Sequence, residues 1–210
     1  MSLHLGDTVP DFTADTTDGE ISFHQWKAGS WAVFFSHPAD FTPVCTTELG
    51  RTAALQTEFA NRNTKAMALS VDPIEDHHGW APDIGEVSGT ALNFPIVADP
   101  DRTVAELYDM IHPGEGDTST VRSVFVIDPE NKLRLSLTYP KSVGRNFDEI
   151  VRVLDALQAT DRDPIATPAD WKPGDRVIVS PGMSTEDAIE RFENVEVVTP
   201  YLRFADAPSS

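Results

Sequence analysis

One cysteine in 210 residues leaves Cys45 no partner within the chain. An intrachain disulfide is therefore excluded, and the fold does not depend on an oxidising compartment for cross-links. Long apolar runs are absent too. The stretch Trp31-Ala32-Val33-Phe34-Phe35 is far too short to span a bilayer. The first residues, Met1-Ser2-Leu3-His4-Leu5-Gly6-Asp7, lack the basic and apolar regions of a secretory signal, so the expectation is a soluble, cytoplasmic protein. Lysine is scarce, with five against eleven arginines, and 34 acidic residues outweigh 16 basic ones to give a net charge of -18. Nucleic acid and anionic membrane surfaces are thereby excluded as partners, because both are bound by neutralising phosphate with Lys and Arg. The acidic residues are dispersed, which reads as a solvated, self-repelling surface suited to high salt. No internal repeat or low-complexity tract is present.

Strand and helix patterns alternate along most of the chain. Residues 12–23 read as a hairpin about Asp18-Gly19, and 31–36 as a strand buried on both faces. A helix is predicted over 43–61, opened by Pro43 and carrying Leu49, Ala53, Leu55 and Phe59 on one face. A strand at 66–71, a helix near 74–84, an extended segment at 94–98 and a helix at 101–108 follow. Strands at 121–128 and 133–139 flank the turn Asp128-Pro129-Glu130-Asn131, and 146–158 is an amphipathic helix. This order predicts an α/β sandwich, a mixed central sheet flanked by helices. The segment 161–175 is rich in Pro, Asp and Thr and reads as a linker. A strand at 176–180, a helix at 184–192 and a strand at 195–198 then form a small α+β C-terminal domain. The expected division is 1–163 and 164–210, with the small domain packed on the main one or on a partner subunit.

Cys45 falls where the chain leaves a strand and enters a helix, and the amides and dipole of a helix start favour an anion there. Thr42, three residues earlier, can donate and accept hydrogen bonds to an oxygen substrate. Pro38 and Pro43 stiffen the loop. A cation is still missing from this local set.

The segment Pro38-Ala39-Asp40-Phe41-Thr42-Pro43-Val44-Cys45 resembles the peroxiredoxin signature Pro-x-x-x-Thr-x-x-Cys. Further blocks also match, including Thr46-Thr47-Glu48-Leu49-Gly50, Val121-Arg122-Ser123-Val124-Phe125-Val126-Ile127-Asp128 and Gly144-Arg145-Asn146-Phe147. The block Ala166-Thr167-Pro168-Ala169-Asp170-Trp171-Lys172-Pro173-Gly174-Asp175 is similar to the one-cysteine subfamily with an extended C-terminal domain. The resemblance implies a thioredoxin-like fold and a thiol peroxidase acting on hydrogen peroxide and organic hydroperoxides. It assigns the peroxidatic sulfur to Cys45, peroxide binding to Thr42, shielding to Pro38 and the missing cation to Arg122. His37 matches a histidine next to the pocket, and Glu48 with Arg145 a pair that supports Arg122. It also implies a homodimer or a ring of dimers. No cofactor and no metal is called for. With no second cysteine, an external thiol or other reductant must complete the cycle.

Two other readings stand beside this one. Cys45 oxidation could serve a redox-regulated chaperone or signalling protein. Some subfamily members carry a phospholipase-like Gly-x-Ser-x-Gly site; its counterparts here are Ser30, His24 and Glu130. Ala28 and Ala32 replace both glycines, so the strained turn around the nucleophile is in doubt. His77-His78 reads as a solvated helix face, since adjacent helical residues point about 100° apart and chelate poorly.

Overall fold

The computed structural model describes residues 3–208. One compact unit runs to Phe147 and a second begins at Asp148. The first is built on a seven-stranded sheet. Strands β1 (Thr13–Thr16) and β2 (Gly19–Ser22) form the expected hairpin and lead into helix α1 (Phe23–Lys27). Then come β3 (Trp31–Ser36), α2 (Pro43–Ala54), α3 (Gln56–Asn61), β4 (Thr64–Ser70), α4 (Ile74–Ser88), β5 (Ile96–Ala98), α5 (Thr103–Leu107), β6 (Arg122–Ile127) and β7 (Leu133–Tyr139). The strand order is β2-β1-β5-β4-β3-β6-β7. β3, β4 and β5 are parallel neighbours, whereas β6 pairs antiparallel with β3 and β7. This is the mixed-sheet, thioredoxin-like sandwich that the sequence predicts.

Every residue of β3 and β6 is buried. Successive side chains of a strand point to opposite faces, so such a strand must be apolar on both. Phe34 joins the rings of Phe12, Phe23, Tyr108 and Phe125 on one face, with Phe34 edge-on to Tyr108 at 5.0 Å. Phe35 meets Phe94 and Phe147 on the other.

The helix expected over 43–61 is two helices. Leu55, at φ −90° and ψ 8°, lies outside helical geometry, and the side-chain amide of Asn93 takes the Ala53 carbonyl at 3.0 Å. A long-range donor thus replaces a local helical bond, which periodicity cannot reveal.

Lys27 is wholly buried, and its ammonium donates to three carbonyls: Ser30 at 2.8 Å, Asp128 at 2.7 Å and Pro129 at 3.0 Å. Burial pushes its pKa down, against the nearby charges of Asp128 and Glu130. The three bonds tie the entry of β3 to the β6–β7 turn. Lys27→Met strands three buried acceptors and is expected to cost about 3 kcal/mol in urea unfolding. A loss under about 1 kcal/mol would show that the carbonyls find water instead.

The second unit begins in helix α6 (Phe147–Arg162) and continues through β8 (Ile165–Ala166), β9 (Val177–Val179), α7 (Thr185–Arg191), β10 (Glu196–Thr199) and β11 (Leu202–Ala205). Its sheet has the order β10-β11-β9-β8. The linker expected at 161–175 is therefore partly ordered: Ile165–Ala166 pairs with β9, and Trp171 is buried. The division expected at 163/164 lies one helix later than the observed one, because Ala156 and Ala159 of α6 pack on the cluster of Ile165, Trp171, Val177, Val179, Ala188, Phe192 and Ala205. A helix covering a small sheet supplies the core that the last 47 residues would lack by themselves. Among the described residues no helix is long and apolar enough to cross a membrane.

Candidate active site

β3 ends at Ser36, and the loop from His37 to Thr42 delivers the chain to α2. Thr42 has extended backbone, φ −114° and ψ 145°, and caps the helix; Pro43 is its first residue, where a missing N–H loses nothing. Cys45 is thus in the first turn, where amides lack intrahelical acceptors. Its exposure is 0%. Pro38 is buried and Thr42 half-buried, and the Thr42 hydroxyl donates to the Ala39 carbonyl at 2.8 Å. That leaves its lone pairs for an incoming O–H.

Antiparallel pairing brings the cation. The register Phe35↔Val124 sets the start of β6 against the end of β3, so Arg122 arrives at the mouth of α2 from 77 residues away. Ser36 Oγ donates to the Val121 carbonyl at 2.6 Å and Thr120 Oγ1 to the His37 carbonyl at 2.6 Å, which fixes the two ends together. Arg122 Nη1 lies 3.3 Å from Cys45 Sγ and 2.7 Å from Glu48 Oε2. Its Nε and Nη2 both donate to the Lys141 carbonyl, at 2.9 and 2.7 Å.

Glu48, one helical turn after Cys45, also accepts from Arg145: Nη2 to Oε2 at 2.7 Å, and Nε and the backbone N–H to Oε1 at 2.9 and 2.8 Å. Arg145 Nη1 donates to the Ser36 and Ser123 carbonyls, and its guanidinium stacks 4.8 Å from the Phe35 ring. Burial pushes the Glu48 carboxyl up, but the charge and hydrogen bonds of Arg145, with the charge of Arg122, hold it below the usual carboxylate range. One carboxylate and two guanidinia leave the cluster with one positive charge. A sulfur anion at Cys45 would bring it to neutrality.

His37 is fully buried, with Nε2 2.7 Å from Asp40 Oδ1. The other Asp40 oxygen is 2.5 Å from Nδ1 of His77. His77 is therefore not on a solvated face: with Trp80 and Ile84 it forms the buried side of α4, and only His78 is exposed. The spacing 77, 80, 84 carried that signal, masked by the charged run Glu75-Asp76 before it. Asp40, His77 and the Lys141 carbonyl are the participants that reading residues singly missed. Of these, the Lys141 carbonyl has no side-chain signature at all. His37, Asp40 and Asp72 bring ligand-type atoms within 4.8 Å of one another, but those atoms are bonded within their own network.

All seven predicted positions, Pro38, His37, Thr42, Cys45, Glu48, Arg122 and Arg145, lie at this junction of β3, α2 and β6. Ser30, His24 and Glu130 do not make a triad. Ser30 is 6% exposed and its hydroxyl donates to the Lys27 carbonyl at 2.6 Å, while His24 Nε2 has no hydrogen-bond partner.

Residues 5–136 match the AhpC/TSA family, and residues 156–194 match the C-terminal domain of 1-Cys peroxiredoxin. The chain is similar to a 1-Cys peroxiredoxin of Dictyostelium discoideum, with 50% identity over 208 residues covering 99% of this chain and 86% of that protein. It is similar to peroxiredoxin-6 of Rattus norvegicus, with 48% identity covering 98% of each. Among solved structures, a cysteine-to-serine mutant of peroxiredoxin 6 of Arenicola marina superposes over the whole of both chains, with a TM-score of 0.95 and 46% identity. A yeast mitochondrial 1-Cys peroxiredoxin, studied for thiol resolution via glutathione and thioredoxin systems, gives 0.91 and 47% over 97% of this chain and 99% of that one. With 132 residues of the main domain and the C-terminal segment both accounted for, the chain belongs to the peroxiredoxins, the thiol peroxidases, in the branch with one active-site cysteine.

Proposed function

We propose that Cys45 is the sulfur that reduces the peroxide, with Thr42 and Arg122 holding the substrate. The observation that carries this is the Arg122 guanidinium 3.3 Å from a buried sulfur in a cluster one negative charge short of neutral. The thiolate attacks the terminal oxygen of ROOH. An S–O bond forms, the O–O bond breaks, and its electron pair leaves on RO⁻, which takes a proton to become ROH or water. Arg122 has five N–H donors. Four are committed to Sγ, Glu48 and the Lys141 carbonyl; one on Nη2 has no protein acceptor and suits the oxygens on which charge builds. Pro38 helps keep the sulfur dry, which strengthens the field of Arg122.

The sulfenic acid then condenses with an external thiol, releasing water and forming a mixed disulfide that a second thiol reduces. A glutathione- or thioredoxin-type reductant fits, since Cys45 has no partner in its own chain and the yeast relative was studied with both. Intact mass during peroxide titration tests the reading. Without thiol the protein gains one oxygen, and then two and three as excess peroxide drives it to sulfinic and sulfonic acid. Added thiol reverses only the first gain. A mass unchanged at every dose would overturn it.

A further inference from the structure

Asp40 sits midway along the loop that carries Pro38 and Thr42, and four contacts fix it. His37 Nε2 and His77 Nδ1 meet its two carboxylate oxygens, Ser70 Oγ lies 3.4 Å from Oδ1, and its backbone N–H donates to Asp72 Oδ2 at 3.0 Å. The end of β3, the end of β4 and helix α4 thus converge on one carboxylate. Both histidines are 0% exposed and Asp40 is 7% exposed.

Hydrogen-bond complementarity sets where the protons are. His77 Nε2 faces the Val97 carbonyl at 3.2 Å, which can only accept, so Nε2 carries a proton. Nδ1 faces a carboxylate, which accepts unless protonated. Burial pushes the Asp40 carboxyl up, but hydrogen bonds from His37 and His77 hold it down at about 2, so it is ionised at neutral pH. His77 Nδ1 then carries a proton too. Only one cation is needed to balance Asp40, and His37 is left with Nε2–H toward Asp40 and an unprotonated Nδ1. That Nδ1 is buried without a hydrogen-bond partner. Burial, with the charges of His77 and Arg145, disfavours a proton on His37; Asp40 alone opposes them. Asp72 is the other charged group facing the network, and its Oδ2 is occupied by the Asp40 amide and by Ser70 Oγ at 2.7 Å.

We propose that His77 is a positioning residue for the peroxide reaction: as an imidazolium bridging Asp40 and the Val97 carbonyl, it neutralises Asp40 and keeps His37 neutral, with Nδ1 an open acceptor beneath the Pro38–Thr42 loop. The assignment rests on Cys45 being the peroxidatic sulfur. Its effect passes through Asp40 to the loop that aims Thr42.

The test is nitrogen NMR of the full chain labelled with 15N-histidine, combined with Cys45 oxidation rates across pH. In the wild type His77 shows both nitrogens protonated at neutral pH and His37 only Nε2; a singly protonated His77 would overturn the proposal. His77→Gln keeps a donor toward Asp40 but carries no charge. His37 then becomes the cation balancing Asp40, so its titration moves to higher pH, and the low-pH limb of the oxidation rate moves with it. The rate at neutral pH falls on the order of tenfold to a hundredfold, as expected when a reacting geometry is disturbed from outside. A folded His77→Gln protein in which His37 titrates as in the wild type would overturn the proposal. Should that variant not fold, the wild-type spectrum still decides. The nitrogen spectrum does not depend on turnover, and wild-type Cys45 oxidation separately tests the peroxidase reading.

Discussion

Arg122→Met is expected to slow oxidation of Cys45 by hydrogen peroxide roughly 10²- to 10³-fold, toward the zero rate of Cys45→Ser. The estimate is that for removing one preorganised donor from a site where oxyanion charge develops. Here that donor also supplies the charge facing the sulfur at 3.3 Å. The substitution leaves the fold largely supported, because Glu48 keeps three hydrogen bonds from Arg145, two of them charge-assisted through the guanidinium. A melting curve near that of the wild type therefore accompanies the loss of rate. Arg122→Lys separates charge from geometry. An ammonium restores the charge, but it cannot make the paired Nε and Nη2 contacts to the Lys141 carbonyl while reaching Sγ and Glu48. It is expected to recover only part of the rate. Stopped-flow oxidation under single-turnover conditions measures the step without the reductant, and a rate within threefold of wild type in Arg122→Met would dismiss the role of the guanidinium.

How this site could be read from sequence depends on the range of each interaction. Thr42, Pro43 and Cys45 were legible as chemistry because strand end, capping residue and helix start are adjacent in the chain. Arg122 was not. Nothing local distinguishes it from ten other arginines, and its place follows from antiparallel pairing of β6 with β3, so only the family resemblance pointed to it. The Lys141 carbonyl that orients it has no side-chain signature. The strands β3 and β6 were legible because burial on both faces demands unbroken apolar runs. The division of 43–61 at Leu55 was not, since Asn93 causes it from 40 residues away. In the second unit β8 and β11 were missed because a two-residue strand and a terminal one carry too little alternation to register. His77 was misassigned for a related reason: its partner, Asp40, lies 37 residues back in a loop whose contacts the sequence does not display.

Glu48→Ala is expected to destabilise the fold by about 3 to 5 kcal/mol, the range for removing one partner of a buried ion pair. Arg122 and Arg145 are 3% and 0% exposed at their side chains, and Glu48 is the carboxylate that both of them contact. Without it two guanidinia share a dry pocket with a single sulfur to oppose them. Arg145 retains the Ser36 and Ser123 carbonyls, and Arg122 retains that of Lys141. Those bonds satisfy donors without cancelling charge, so the like-charge term remains. The pH dependence of unfolding gives a second reading of the same carboxylate. Its native pKa is depressed, so its contribution to stability is complete above the unfolded glutamate value, about 4.3, and is lost as pH falls through the lower native value. The variant lacks that component, and its deficit against wild type therefore shrinks in acid. Reactivity separates Glu48 from Arg122: with Arg122 still held by Lys141, Cys45 oxidation in Glu48→Ala falls less than in Arg122→Met. Urea unfolding at neutral pH and in acid measures both effects. A stability loss below about 1 kcal/mol would mean that water reaches the guanidinia and that Glu48 does not hold the cluster together.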